Sequence, residues 1–148
     1  MRFLIQVVDR ASVEVKEQNY KAEIWQWLLI YVWIHRDDIP VASEKIKLAV
    51  EKLPQLQILH KDDKLIWTLQ QDWWEIMIIS NFTLYGENRK GNRFDFGDSA
   101  WFDDAKKVYD DLVVVLQQSW IVVKTWIFGG FMDVSSVNSW PINLLWEV

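Results

Sequence analysis

The sequence predicts an α/β (α+β) single domain spanning residues 1–148, with many strands and two good helices. Three observations carry this prediction. Apolar or alternating runs of strand length recur along the chain. Two stretches, 42–53 and 105–116, place apolar residues at helical spacing. No linker, low-complexity tract or internal repeat interrupts the 148 residues, a length that buries a real core as one domain.

In order along the chain, residues 3–8 (FLIQVV) are apolar and meet Asp9-Arg10, and residues 11–16 (ASVEVK) alternate as a half-buried strand does. Together they predict a β-hairpin. Residues 28–34 (LLIYVWI) form a continuous apolar run, the pattern of a central buried strand. His35 to Asp38 break it. Pro40 then fits the first turn of a helix, with Asp37 or Asp38 near its cap. That helix buries Ala42, Ile46, Ala49, Val50 and Leu53 and leaves Glu44, Lys45, Lys47, Glu51 and Lys52 largely solvated, until Pro54 ends it. The runs LQILH (56–60) and KLIWTL (64–69) flank Lys61-Asp62-Asp63 as a second hairpin.

Residues 75–82 (EIMIISNF) are a strong strand that runs straight into polar residues, and 87–97 (ENRKGNRFDFG) read as a loop. Ser99 is placed to cap a helix through about Gln117, burying Ala105, Val108, Tyr109, Leu112, Val113 and Leu116. Strands are expected at 121–125, 131–137 and 143–148.

There are no cysteines, so disulfides and thiolate metal sites are excluded and a reducing compartment is the simplest setting. The N-terminal stretch lacks signal-peptide architecture, and no apolar run approaches the roughly 20 residues needed to span a bilayer. The expected location is cytoplasmic, with no membrane partner. A net charge of −5 argues against broad attraction to nucleic acid, and no DNA partner is expected.

Familiar catalytic signatures are missing: no phosphate-binding glycine loop, no Gly-x-Ser-x-Gly, no histidine pair at metal-ligand spacing. His35 and His60 read as solvated loop residues, and Asp37-Asp38, Asp62-Asp63 and Asp103-Asp104 as caps and turns. No metal or cofactor is implied. Two stretches remain, Ser80 to Leu84 at a strand exit and Asn138 to Asn143 near the C-terminus. A strand end offering hydroxyls and free backbone donors can build an oxyanion-type site, though the same residues also read as a plain polar terminus.

The order of the segments adds to this. The opening Ile5, Gln6, Val8, Arg10, Ala11, Ser12, Val13, then SNFTLYG (80–86), RKGNR (89–93) and IFGGFMDVSSVN (127–138) resemble the bacterial D-aminoacyl-tRNA deacylases from end to end. The resemblance implies a mixed, partly barrel-like sheet with two main helices, and a homodimer with active sites at the subunit interface. It implies hydrolysis of the ester of D-aminoacyl-tRNA, and of glycyl-tRNA, without cofactor. A Gly–cis-Pro turn from the partner subunit would reject L-amino acids, and the tRNA's terminal 2′-hydroxyl would stand in for a side-chain base. Carried over residue by residue, Ser80 and Thr83 are the catalytic candidates near the scissile ester. Asn81, Phe82, Met132, Asn138, Trp140 and Pro141 are the substrate-binding candidates. Arg89, Lys90 and Arg93 are the candidates for tRNA phosphate contacts, against the plainer reading of a solvated charge run.

The chain departs from the family at telling places. It has eleven tryptophans and five glycines. Trp25, Trp27, Trp33, Trp73, Trp74, Trp120, Trp126 and Trp140 stand where the resembling family has glycine, the least suitable exchange at a turn. That pattern is what UGA codons meaning glycine, translated as tryptophan, would leave behind. Asn81 replaces a glutamine, Asn143 a threonine, and Val7 an arginine thought to brace the Gly-Pro turn. If the tryptophans are genuine, two other readings stand: a tRNA-binding relative with a blocked pocket, or a deacylase shifted toward a mischarged L-aminoacyl-tRNA.

Overall fold

A computed structural model of the chain describes residues 1–61, 64–67, 75–89 and 91–148, with backbone alone at 27, 59–61 and 64–67. Residues 3–8 and 11–16 are not two arms of a hairpin. They form one strand, β1 (Arg2–Val15). Asp9-Arg10 lacks the glycine or asparagine that a tight reversal needs, and the polar pair instead marks a change of partner. Up to Val8 the strand pairs antiparallel with β3 (Trp27–Trp33), and from Ala11 with β2 (Tyr20–Ile24). β8 (Asp133–Glu147) runs antiparallel along the other edge of β1 and joins the two C-terminal strands expected from sequence.

The predicted second hairpin is present as β4 (Leu59–Lys61) against β5 (Lys64–Trp67), with its turn outside the described residues. β6 (Glu75–Ser80) lies parallel to β3, and β7 (Val122–Lys124) parallel to β6. The main sheet therefore runs β2-β1-β3-β6-β7 with β8 on β1, mixed in direction as expected. It also curls: the Tyr20 hydroxyl donates to the Thr125 carbonyl at 2.8 Å, tying β2 to the chain leaving β7. The result is nearly a barrel. β3 and β6 are its buried centre, as their continuous apolar runs require.

Helix α1 (Ala42–Lys52) starts later than Pro40 suggests. Pro40 sits inside a preceding 3-10 turn, Arg36–Val41, capped by His35, whose Nδ1 accepts from the Asp37 amide at 3.1 Å while Asp38 reaches back to the His35 amide. His35 is thus a half-buried capping residue that meets the Tyr85 ring edge-on at 5.2 Å, not a solvated loop residue. Lys45 is also tied down, at 2.9 Å from Asp38, which in turn holds the Met1 ammonium. Burial pushes the Asp38 carboxyl up, but the hydrogen bonds from Met1 and Lys45 outweigh it and hold its pKa below the usual value.

Helix α2 (Phe102–Gln117) packs on α1 and on the sheet, where the buried Tyr109 hydroxyl donates to the Ile78 carbonyl at 2.8 Å. Its N-cap is Trp101, without a side-chain cap. Ser99 does not cap it, because its hydroxyl is engaged by the Phe82 carbonyl at 3.2 Å. Among the described residues no helix is long and apolar enough to cross a membrane.

Candidate active site

β6 delivers Ser80 to the carboxyl end of the buried sheet. There its neighbours across the strands are Val32, then Phe3, then Trp146. The chain then tightens into a 3-10 turn, Phe82–Tyr85, and Asn81 explains why. Its side-chain oxygen accepts from the Thr83 amide at 3.1 Å and the Thr83 hydroxyl at 2.6 Å, an Asx turn that sets the geometry locally. The shorter asparagine therefore has a job of its own at this position.

Ser80 is only 3% exposed. Its Oγ accepts from the Trp126 indole N–H at 3.1 Å. A second buried indole, Trp33, stacks on Phe128 at 5.8 Å, and its N–H has no hydrogen-bond partner among the described residues. Trp126 thus covers the Ser80 hydroxyl, while Thr83 remains exposed with its hydroxyl directed to Asn81.

Beside this exit lies a cleft of about 330 Å³ lined by Trp33, Arg36, Phe82, Phe96, Ser99 and Phe102, among others. The half-exposed Phe82 ring meets Phe96 edge-on at 5.0 Å and Trp33 at 6.2 Å. The far wall is held by backbone bonds from the Ala100 amide to the Ile34 carbonyl and from the Arg36 amide to the Asp98 carbonyl, both at 3.0 Å. An aromatic recess suits a planar base, and the Arg36 guanidinium at its rim is partly answered by Asp98 at 3.5 Å and Asp37 at 3.9 Å.

The 138–143 segment lies elsewhere. Trp140 is 65% exposed and has φ 55°, the left-handed region. For a bulky residue this is a strained conformation, about 1–2 kcal/mol above the ordinary one. Within one chain the turn is three to five residues along β1 from the level of Ser80, about 10–17 Å, and three strands across, about 14 Å. One chain does not bring Ser80 and Pro141 together.

A strand exit preset by an Asx turn, an aromatic cleft beside it and a strained aromatic-Pro turn far along the sheet form an unusual set. The family model for D-Tyr-tRNA(Tyr) deacylase matches residues 4–147. The chain belongs to this family. A D-aminoacyl-tRNA deacylase of Thermosipho africanus is 38% identical over 98% of this chain and 95% of its own. One of Acinetobacter baumannii is 35% identical over 100% of this chain and 99% of its own. Among solved structures, the c-Myc DNA Unwinding Element Binding Protein superposes with TM-score 0.87 at 24% identity, over 100% of this chain and 99% of that one. A probable eukaryotic D-amino acid tRNA deacylase superposes with TM-score 0.86 at 17% identity, over 99% and 98%. At these identities the two structures speak for the shared fold.

In this D-Tyr-tRNA(Tyr) deacylase relative the other candidates are scattered. Met132 is half-buried against the core, ahead of β8, and Asn138 sits in β8 opposite Val8. Arg89 is already held by Glu87 at 2.6 Å and Asp98 at 2.5 Å, so much of its charge is answered within the protein. Arg93 is exposed and has no ion pair among the described residues, and Lys90 lies outside them. Of the eight unusual tryptophans, Trp25 and Trp120 are exposed at bends, Trp33 and Trp126 are buried, Trp27 opens β3, and Trp73 and Trp74 lie outside the described residues. Sequence reasoning missed Arg36, Phe96 and Phe102 as cleft residues. They come from three separate segments with no shared motif, and only the pairing of 34–36 with 98–100 assembles them.

Proposed function

We propose that this chain hydrolyses the ester of D-aminoacyl-tRNA, and of glycyl-tRNA, in the cytoplasm, as a homodimer in which each subunit completes the other's site. The observation that carries the reading is the preset exit at 80–85 opening onto an aromatic cleft, in a member of this deacylase family. The terminal adenosine lies in the cleft against Phe82, and the ester reaches the exposed Thr83, while Ser80 comes within reach only where glycine replaces the covering Trp126. Of the first amides of the 82–85 turn, those of Thr83 and Leu84 donate to Asn81, which leaves that of Phe82 to offer a donor to the oxyanion that forms as the carbonyl is attacked. His35 is committed as a cap, so proton transfer falls to the terminal ribose hydroxyl and water. Water's oxygen bonds to the carbonyl carbon and gives up a proton, the ester C–O bond breaks, the departing ribose oxygen takes that proton, and free D-amino acid and tRNA leave.

The separation of Pro141 from Ser80 within one chain supports a turn supplied in trans, with the 140–141 carbonyls crowding the chiral centre and Met132 and Asn138 nearby. The outer edge of β8, with Leu144 and Leu145 exposed, is a long strand edge of the kind proteins cover. Arg93 takes the tRNA backbone, with Arg89 and Lys90 beside it.

The test is deacylation of D- and L-tyrosyl-tRNA by the chain as written and by a version with glycine at the eight unusual tryptophans. Cleavage of the D-ester alone by either protein supports the reading. If only the glycine version cleaves, UGA codons are expected at those eight sites. Silence from both well-folded proteins sinks the hydrolase and favours a tRNA-binding relative.

A further inference from the structure

The turn at 139–142 has a scaffold of its own. Between the pairs Gln6–Asn143 and Val8–Asn138, β1 advances two residues while β8 advances five. Three extra residues therefore bulge out of register with β1. Pro141 has no N–H to offer.

Side-chain amides take over. Asn143 is the hub: its Oδ1 accepts from Gln6 Nε2 at 2.7 Å and from Asn138 Nδ2 at 3.0 Å. Its own Nδ2 donates to the Pro141 carbonyl at 3.2 Å. Two donors on one oxygen fix which way the amide faces, and so aim its N–H at that carbonyl. Ser136 Oγ lies 3.4 Å from Asn138 Oδ1 and steadies the far side.

We propose that Asn143, with Gln6 and Asn138, is a positioning residue for the chiral filter, holding the direction of the Pro141 carbonyl so that D-over-L selectivity depends on the hub. The inference rests on the reading that the 140–141 carbonyls face the substrate. Two further observations support it. Val7, between the two anchoring residues of β1, is buried in the core and cannot brace the turn. The left-handed backbone at Trp140 is a strained state that persists only where its surroundings over-determine it. The hub ties both feet of the bulge to one point on β1 and supplies that constraint.

Asn143→Asp separates the roles. It keeps the size and the two acceptor contacts but sets a carboxylate oxygen, in place of the donor, against the Pro141 carbonyl. The expected result is a Tm close to the parent's, an unchanged KM for D-tyrosyl-tRNA, and a D/L ratio of kcat/KM lowered roughly tenfold. Gln6→Ala, which removes one of the two donors, lowers the ratio less. Amide hydrogen exchange at 138–143, read on the same proteins, is expected to quicken in Asn143→Asp. An unchanged D/L ratio in an active variant overturns the proposal, and so does unchanged exchange. If the parent cleaves neither ester, the proposed reaction fails on its own, and the exchange rates still decide whether the hub holds the turn.

Discussion

The exit of β6 and the bulge of β8 are both polar breaks in the strand pairing of one sheet, yet they are built by opposite means. At 80–85 the geometry is local: a strand ends, and Asn81 folds the next two residues onto itself. At 138–143 it is remote, since the turn keeps its shape through Gln6, more than a hundred residues away in sequence. The first is anchored on buried Ser80 and Tyr85 with Phe82 and Thr83 exposed between them, and the second is exposed at Trp140 and Pro141. A preset local turn suits chemistry that needs fixed donors. A remote, externally braced turn suits an element that must be presented to another molecule.

Complementation would strain this comparison most. If the two regions meet only across subunits, mixing an Asn81→Ala protein that has lost turnover with the active but less selective Asn143→Asp protein should recover D/L selectivity, because in the mixed dimers the intact exit meets an intact turn. No recovery, with mixed dimers shown by mass, would place both regions in one chain's site.

The next effect is on stability. Ser80→Ala leaves the buried Trp126 N–H without its acceptor and should cost about 2 kcal/mol by thermal unfolding. A smaller effect of opposite sign is expected in the other region: Trp140→Gly removes the left-handed penalty and should raise stability by about 1 kcal/mol. Equal signs in the two variants would mean that the contrast between a satisfied exit and a strained bulge is wrong.

The smallest effects lie outside both regions and serve as controls. Arg93→Ala should lower the salt dependence of tRNA binding by about one unit of log–log slope, and the internally paired Arg89 by less. Acid should act through Asp38. Its folded pKa is depressed, so its contribution is present above the unfolded value and lost as pH falls through the lowered one. Asp38→Asn should therefore be less stable near neutral pH and show a shallower acid dependence.

How much of this was legible beforehand varies by segment. The central strands, both helices and the exit at Ser80 follow from apolar runs and periodicity, because burial on both faces or on one stripe leaves its mark in the sequence. The hairpin expected at 3–16 failed. A partner change halfway along a strand and a true reversal both read as a polar break, and only pairing tells them apart. Ser99 had the chemistry of a cap but found the Phe82 carbonyl first. His35 looked solvated because a capping role depends on where the following 3-10 turn places Asp38.

By itself the sequence determined the class of fold, its buried strands, the polar strand exit at Ser80 and, through ordered motifs, the family. Those are properties of neighbours in the chain. Tertiary structure alone decided that Trp126 covers Ser80, that Arg36, Phe96 and Phe102 share one cleft, that Asn143 is the hub of the 139–142 turn, and that this turn stands far from Ser80 within its own chain. Each depends on strand register and on sheet curl, which are set by pairings between residues distant in sequence and leave no local pattern.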